Sequence, residues 1–145
     1  MKKITLRGRQ VVGGCAEGEA LVTQETISGW GGIDPMTGTI VDLRHELAGQ
    51  CIAGKILVFK GAKGSSGWSA FFHEARLNGV APRALVYNET TTKIALGAVV
   101  TRVPAVTDLD QDPTQVIETG DWVRVDGDAG IVEVTKKSVE FVAKN

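Results

Sequence analysis

Ile56-Leu57-Val58-Phe59 is an unbroken apolar run with Gly54 before it and Gly61 after it, and it constrains this chain more than any other stretch. Four successive apolar residues, too few for a helix, read as a strand covered on both faces, because alternate side chains point to opposite sides of a sheet and neither set is polar. Such a strand belongs at the centre. Ala84-Leu85-Val86-Tyr87 repeats the pattern. Between the two runs Trp68, Phe71, Phe72 and Ala75 fall at spacings of three and four, an apolar stripe that Asn78-Gly79 stops. Strand, helix over about 67–78 and strand make a βαβ unit with a right-handed crossover. The predicted class is α/β, one domain over residues 1–145, a length that can bury a core without staples.

The flanks read mostly as strands. Ile4 and Leu6, then Val11-Val12, alternate with polar residues up to the Gly13-Gly14 break, and Ala20-Leu21-Val22 is a second short strand. From Ser28 to Gly38 turn formers dominate; Asp34-Pro35-Met36-Thr37-Gly38 suits a tight turn, after which Thr39-Ile40-Val41 is extended again. Thr91 or Thr92 can cap a helix through about Val99, and Val103-Pro104-Ala105-Val106 reads as a strand that Pro104 would put at an edge. Residues 120–134 alternate on both sides of a Gly/Asp turn, a hairpin signal. The acidic stretch Asp108 to Pro113 reads as a solvated loop rather than a cation site.

Composition removes several function classes. A net charge of −1 with scattered lysines and arginines offers no basic stripe, so nucleic acid is not an expected partner. Met1-Lys2-Lys3-Ile4-Thr5-Leu6 is followed by no apolar signal region, and no run approaches the roughly 20 residues of a membrane span. A cytoplasmic location with no membrane partner is the expectation. Cys15 and Cys51 are far apart and outside any Cys-x-x-Cys pair, so they read as reduced thiols and not as metal ligands.

The chemistry is expected at Gly64-Ser65-Ser66-Gly67, where a buried strand gives way to a helix. Glycine lets the backbone approach a ligand, and a helix start presents unpaired N–H groups to anions. One serine can serve as the N-cap; two exceed what a cap needs. By spacing alone, cap-plus-turn and substrate site stay open. Lys63 can add positive charge there or be an ordinary exposed lysine. The loop lacks the Gly-Lys-Ser/Thr ending of a P-loop and is no Gly-x-Ser-x-Gly elbow. A serine nucleophile would need a base, and His45 and His73 are the only histidines; His73 is expected on the polar side of the helix, directed away.

These residues resemble the small, swivelling subunit or domain of the aconitase X type dehydratases. The likeness covers roughly Thr5 to Val134 and is carried by Trp30-Gly31-Gly32-Ile33-Asp34 with Thr37-Gly38 and Asp42, by Leu47 to Phe59, and by Gly64-Ser65. It implies a swivelling β/β/α domain, a central βαβ unit with flanking hairpins, that closes over a large catalytic subunit whose own cysteines hold an iron–sulfur cluster. It implies further that Ser65 is the base removing a proton beside a carboxylate. Lys63, Gly64, Ser66 and Gly67 would then bind substrate, and Trp30, Gly31, Gly32 and Asp34 would lie at the subunit interface or site mouth, although a turn-forming role suits Asp34 equally. An alcohol is a poor base at neutral pH, so the loop N–H groups must stabilise an alkoxide.

Lys63 stands where members acting on mevalonate 5-phosphate usually have arginine, and Ala62 where those have a second glycine or similar residue. Arginine grips an oxyanion with two prongs and lysine does not. Gly64 to Ser69 looks more like bacterial members acting on cis-3-hydroxy-L-proline, the substrate expected from sequence. Mevalonate 5-phosphate is the alternative. Trp68 and Phe72 can line an apolar ring site or simply be core. The C-terminal hairpin is also similar to that of phosphohistidine carrier domains, but neither His45 nor His73 has the expected Thr-x-His or Ser-His setting. A non-catalytic scaffold would use the Gly/Trp loop as a surface and ask nothing of Ser65.

Overall fold

The computed structural model describes residues 2–29, 31–63, 68–88 and 92–137. In chain order its strands are β1 (Lys3–Arg7), β2 (Arg9–Val12), β3 (Cys15–Val22), β4 (Ile27–Ser28), β5 (Ile33–Asp34), β6 (Thr39–Ile40), β7 (Ile56–Phe59), β8 (Ala62–Lys63), β9 (Ala84–Tyr87), β10 (Ala105–Thr107), β11 (Trp122–Asp126) and β12 (Ile131–Thr135). The helices are α1 (Trp68–Leu77), α2 (Thr92–Thr101) and the single turn α3 (Pro113–Val116).

Eight strands form one mixed sheet in the order β1-β12-β11-β3-β7-β9-β10-β2. β3, β7, β9 and β10 are mutually parallel, whereas β1, β12, β11 and the first half of β3 are antiparallel. β3 joins the two halves, pairing with β11 over Cys15–Glu19 and with β7 over Ala20–Val22. Sequence reading found only its apolar end, because Glu17, Gly18 and Glu19 interrupt the apolar pattern while still supplying backbone to the ladder. This is the expected α/β architecture, in which α1 and α2 make the crossovers from β7 to β9 and from β9 to β10, and α3 is a single turn on the way to β11.

The continuous apolar runs are explained by two cores. Leu57, Phe59, Leu85 and Tyr87 face Trp68 and Phe72 of α1 and Ala98 of α2. Ile56, Val58, Ala84 and Val86 face Leu6, Ile117 and the valines of β11 and β12. Every side chain of β7 and β9 is therefore taken out of water, at about 1.5–3 kcal/mol for each large one. The Trp68 ring stacks on Phe72, centroids 4.1 Å apart, and meets α2 at Gly97. A Cβ there would come within 2.1 Å of the indole, so only glycine lets the helices approach this closely. Trp68 and Phe72 are core residues, not a ring-shaped site.

One sequence expectation fails at β10. Its neighbours are β9 and β2, so the edge falls to β2. Pro104 sits just before the strand and takes part through its carbonyl, which accepts from Leu85 N at 3.0 Å; its missing N–H breaks no ladder. The hairpin, by contrast, forms as read, Trp122 opposite Thr135 and Asp126 opposite Ile131. Beside it the fully buried Asp121 accepts from Lys136 Nζ at 2.6 Å, Lys137 N at 2.9 Å and Glu118 N at 2.8 Å. Burial alone would raise its pKa; these donors outweigh that and hold it below the usual carboxylate value. Among the described residues no helix is long and apolar enough to cross a membrane.

Candidate active-site face

Open α/β sheets bind ligands at the carboxyl ends of their parallel strands. Here β3, β7 and β9 all deliver polar residues there: Thr23 to Thr26, Lys60 and Asn88. Ser65, with Gly64, Ser66 and Gly67, lies outside the described residues, as does Trp30. Both ends of the segment are placed. Lys63 gives its main chain to β8, paired with Ser28 of β4. Trp68 begins α1 and donates its indole N–H to Ile27 O at 2.8 Å. Lys63 and Trp68 are thus both held by one short strand, β4, and α1 is a ten-residue helix whose first N–H groups have no partner within the helix.

The Gly/Trp loop starts from that same strand. Gly29 lies against the start of α1, where a Cβ would come within 2.8 Å of Trp68 Cα; Gly31 is exposed and Gly32 buried. The chain then runs along α1 toward its far end. Asp34 Oδ1 accepts from Met36 N at 2.9 Å and its carbonyl from Gly38 N at 2.7 Å, while Asn78, just past α1, donates to Pro35 O at 2.8 Å. Asp34 is a turn former about a helix length, on the order of 15 Å, from the 64–67 end of α1. Of this stretch Gly29 packs on the start of α1, whereas Asp34 turns the chain near the other end of that helix.

Around the carboxyl ends the structure assembles a polar group that no motif announced. Glu46 accepts from Thr23 Oγ1 and, at 2.7 Å, from Gln24 N, and its own N–H bonds Glu25 Oε2 at 2.7 Å. The Thr23 hydroxyl, then the Gln24 N–H, hold the Glu46 carboxyl below its ordinary pKa. His45 is buried. Its Nδ1 accepts from Leu47 N at 3.0 Å, which leaves Nε2–H to donate to Thr26 O at 3.1 Å, the pattern of one neutral tautomer. Neither ring nitrogen is available to carry a phosphoryl group.

Gln24 Nε2 reaches Thr114 O at 2.6 Å, and the pair divides two polar cavities. One, about 320 Å³, is lined by Gln24, Phe59, Lys60, Asn88, Asp112 and Thr114. The other, about 510 Å³, includes Glu46, Gln115, Glu118 and Lys137 in its walls. Gln24, Glu46 and Thr114 come from three distant segments, so sequence spacing held no signal for them beyond the Asp-Pro that starts α3. The acidic stretch is explained without a cation: Asp108 pairs with Arg9, Asp110 accepts from Arg7 N, and Asp112 caps α3 through Thr114 N.

Cys15 and Cys51 are both exposed and free. Among the described residues the one grouping with metal-ligand spacing is Cys15 with Asp126 and Asp128, which does not fit the thiolate set of an iron–sulfur cluster.

Residues 5–134 match the family model described as the aconitase X swivel domain. The phosphomevalonate dehydratase small subunit of Methanosarcina acetivorans is 41% identical over 136 residues, covering 94% of this chain and 94% of that one. Its counterpart from Thermococcus gammatolerans is 43% identical over 129 residues, 89% of this chain and 96% of the other. The crystal structure of Thermococcus kodakaraensis aconitase X in its holo form superposes with a TM-score of 0.86 at 41% identity, over 92% of this chain and 99% of that one.

Proposed function

This chain belongs to the aconitase X swivel-domain family, and on that premise we propose that it is the small subunit of a dehydratase, completed by a large catalytic subunit, that removes water from a β-hydroxy acid. The observation that carries the reading is near-full-length likeness to phosphomevalonate dehydratase small subunits, on a fold whose parallel strands β3, β7 and β9 end together in polar residues.

The reaction asked of this chain is proton removal. Ser65 Oγ takes the proton from the carbon next to the substrate carboxylate, the electron pair becomes a carbon–carbon double bond, and the hydroxyl on the next carbon departs as hydroxide, which with the proton taken by Ser65 makes up the one water lost. A serine alkoxide needs positive potential, and the N-terminus of α1 supports it there. Any iron–sulfur cluster belongs to the large subunit, since this chain's thiols do not fit one; when bound there it would serve as the Lewis acid for the departing hydroxyl. Swivelling closure would exclude water from the site.

The expected substrate shifts from cis-3-hydroxy-L-proline to mevalonate 5-phosphate, the alternative reading, because the relatives' names favour a phosphomevalonate-type acid. Both molecules carry a hydroxyl one carbon beyond that of the acidic proton, so the chemistry is shared and the substrate tails differ. Lys63 in the place of arginine keeps the hydroxyproline reading as second choice.

The test is coexpression with the large subunit, followed by assays on both acids. Turnover of mevalonate 5-phosphate, falling about 10²–10⁴-fold or more in Ser65→Ala, is expected. Turnover of hydroxyproline alone would overturn the substrate, and an active Ser65→Ala complex would overturn the base.

A further inference from the structure

We propose that the turn over residues 42–46, with Leu43 at its tip, is the surface on which the large subunit docks, and that the partner meets it with an apolar hollow for Leu43 and a basic side chain for Glu46. The inference rests on the reading of this chain as a dehydratase small subunit and concerns where the two chains meet.

The turn is built rigidly and sits at the ligand-binding end of the sheet. Asp42 O accepts from His45 N at 3.0 Å and Asp42 Oδ1 from Arg44 N at 3.0 Å, so Leu43 occupies the corner of a closed turn. Behind it, Ala48 N donates to His45 O at 3.0 Å and Gly49 N to Ile40 O at 2.8 Å, while His45 and Leu47 are buried. The His45 ring and the Glu46 carboxylate then fasten the turn to residues 23–26, just past the carboxyl end of β3. Ligands of open sheets bind beyond that end, so the chain that completes the site must cover it too.

Leu43 is 91% exposed, and Val41, two residues earlier, 45%. A loose loop can fold such a side chain away; a turn tied by these bonds keeps it in water. A partner seated here removes the leucine from water and gains the hydrophobic free energy that the free subunit forgoes.

The charge around it selects the partner. Glu46 Oε1 takes both the Thr23 hydroxyl and the Gln24 N–H, and among the described residues no donor reaches Oε2. The turn and the segment it is fastened to carry Glu25, Asp42 and Glu46 against Arg44, with His45 neutral. Beside Glu46 lies the open cleft of about 510 Å³, lined in part by apolar Val22, Leu47 and Ile117. Its other charges are engaged, Glu118 with Lys136 and Lys137 Nζ with Thr119 O. The uncompensated charge of this face is negative, which fits a basic partner.

Large-subunit affinity, read by biolayer interferometry on the purified chains, tests this. Leu43→Ser should weaken binding about 10–100-fold while the Tm of the free subunit stays at the parent's, because this side chain meets water and not the core. Leu77→Ser, a like change at the exposed far end of α1, should bind within twofold of the parent. Glu46→Gln keeps an oxygen for Thr23 and Gln24; it should bind about 3–10-fold more weakly at low salt, a difference that shrinks at high salt. Leu43→Ser binding within twofold of the parent, or Glu46→Gln matching the parent at low salt, would overturn the proposal. Should the parent chain itself fail to bind a large subunit, the small-subunit reading fails and this inference with it. A parent complex that is active, and indifferent to Leu43→Ser, leaves that reading standing and removes only this inference.

Discussion

Replacing Tyr87 with phenylalanine is expected to leave the free subunit as stable as before or to raise its stability. Tyr87 ends β9 with its side chain fully buried and its ring centroid 5.6 Å from that of Phe59. Its hydroxyl has no hydrogen-bond partner among the described residues. A buried hydroxyl left unmet costs about 1–3 kcal/mol, and the small void left by deleting it costs about 1 kcal/mol, so the net change is a gain of about 0–2 kcal/mol. For 145 residues the unfolding entropy is about 0.3 kcal/mol/K, which makes the gain as much as about 7 °C in Tm. Thermal unfolding at pH 7 followed by circular dichroism reads this directly.

A second observable comes from titration. Burial pushes the Tyr87 phenol up to about 12 from 10.0, with Arg9 opposing and Asp108 assisting. Because the folded value lies above the unfolded one, the stability it contributes is present below pH 10 and lost as pH rises from about 10 to 12. The Tyr87→Phe protein should lack that loss, so its stability curve pulls further above the parent's across this window. A Tm lowered by 2 °C or more at pH 7 would refute the reasoning, since it would mean that the hydroxyl is bonded in the folded chain.

Asp121→Asn should destabilise the subunit by about 3 kcal/mol, because it leaves Lys136 half-buried without its closest carboxylate, measurable by urea unfolding. In the unaltered chain Asp121 and Glu46 have lowered pKa values, so their contributions are whole above the ordinary carboxylate range and fade as pH falls below about 4. Lys136, raised despite burial by its bonds to Asp121 and Glu118, contributes fully below pH 10.5 and is lost as pH climbs past it. Gly97→Ala, although it adds a better helix former, should cost about 1–3 kcal/mol by driving a methyl group into the Trp68 ring. A Tm equal to or above that of the parent would refute that packing.

Periodicity and glycine placement alone determined the βαβ unit, the C-terminal hairpin and the doubly buried central strands, because each is local: the apolar pattern must match the faces its own backbone presents. Motif likeness is what points to the serine loop, which lies outside the described residues. What only the tertiary structure decided is everything assembled from distant segments. β3 proved to be the long joint between parallel and antiparallel halves, and β2 rather than β10 became an edge, since strand neighbours are chosen by the whole sheet. Asp34 came to lie near the C-terminal end of α1, where Asn78 holds Pro35, because the chain from Gly29 runs along that helix. Glu46 met Thr23 and Gln24 across a loop, and the indole of Trp68, in sequence just another stripe residue, found the carbonyl of Ile27. Hydrogen bonds between residues dozens of positions apart leave no spacing to read.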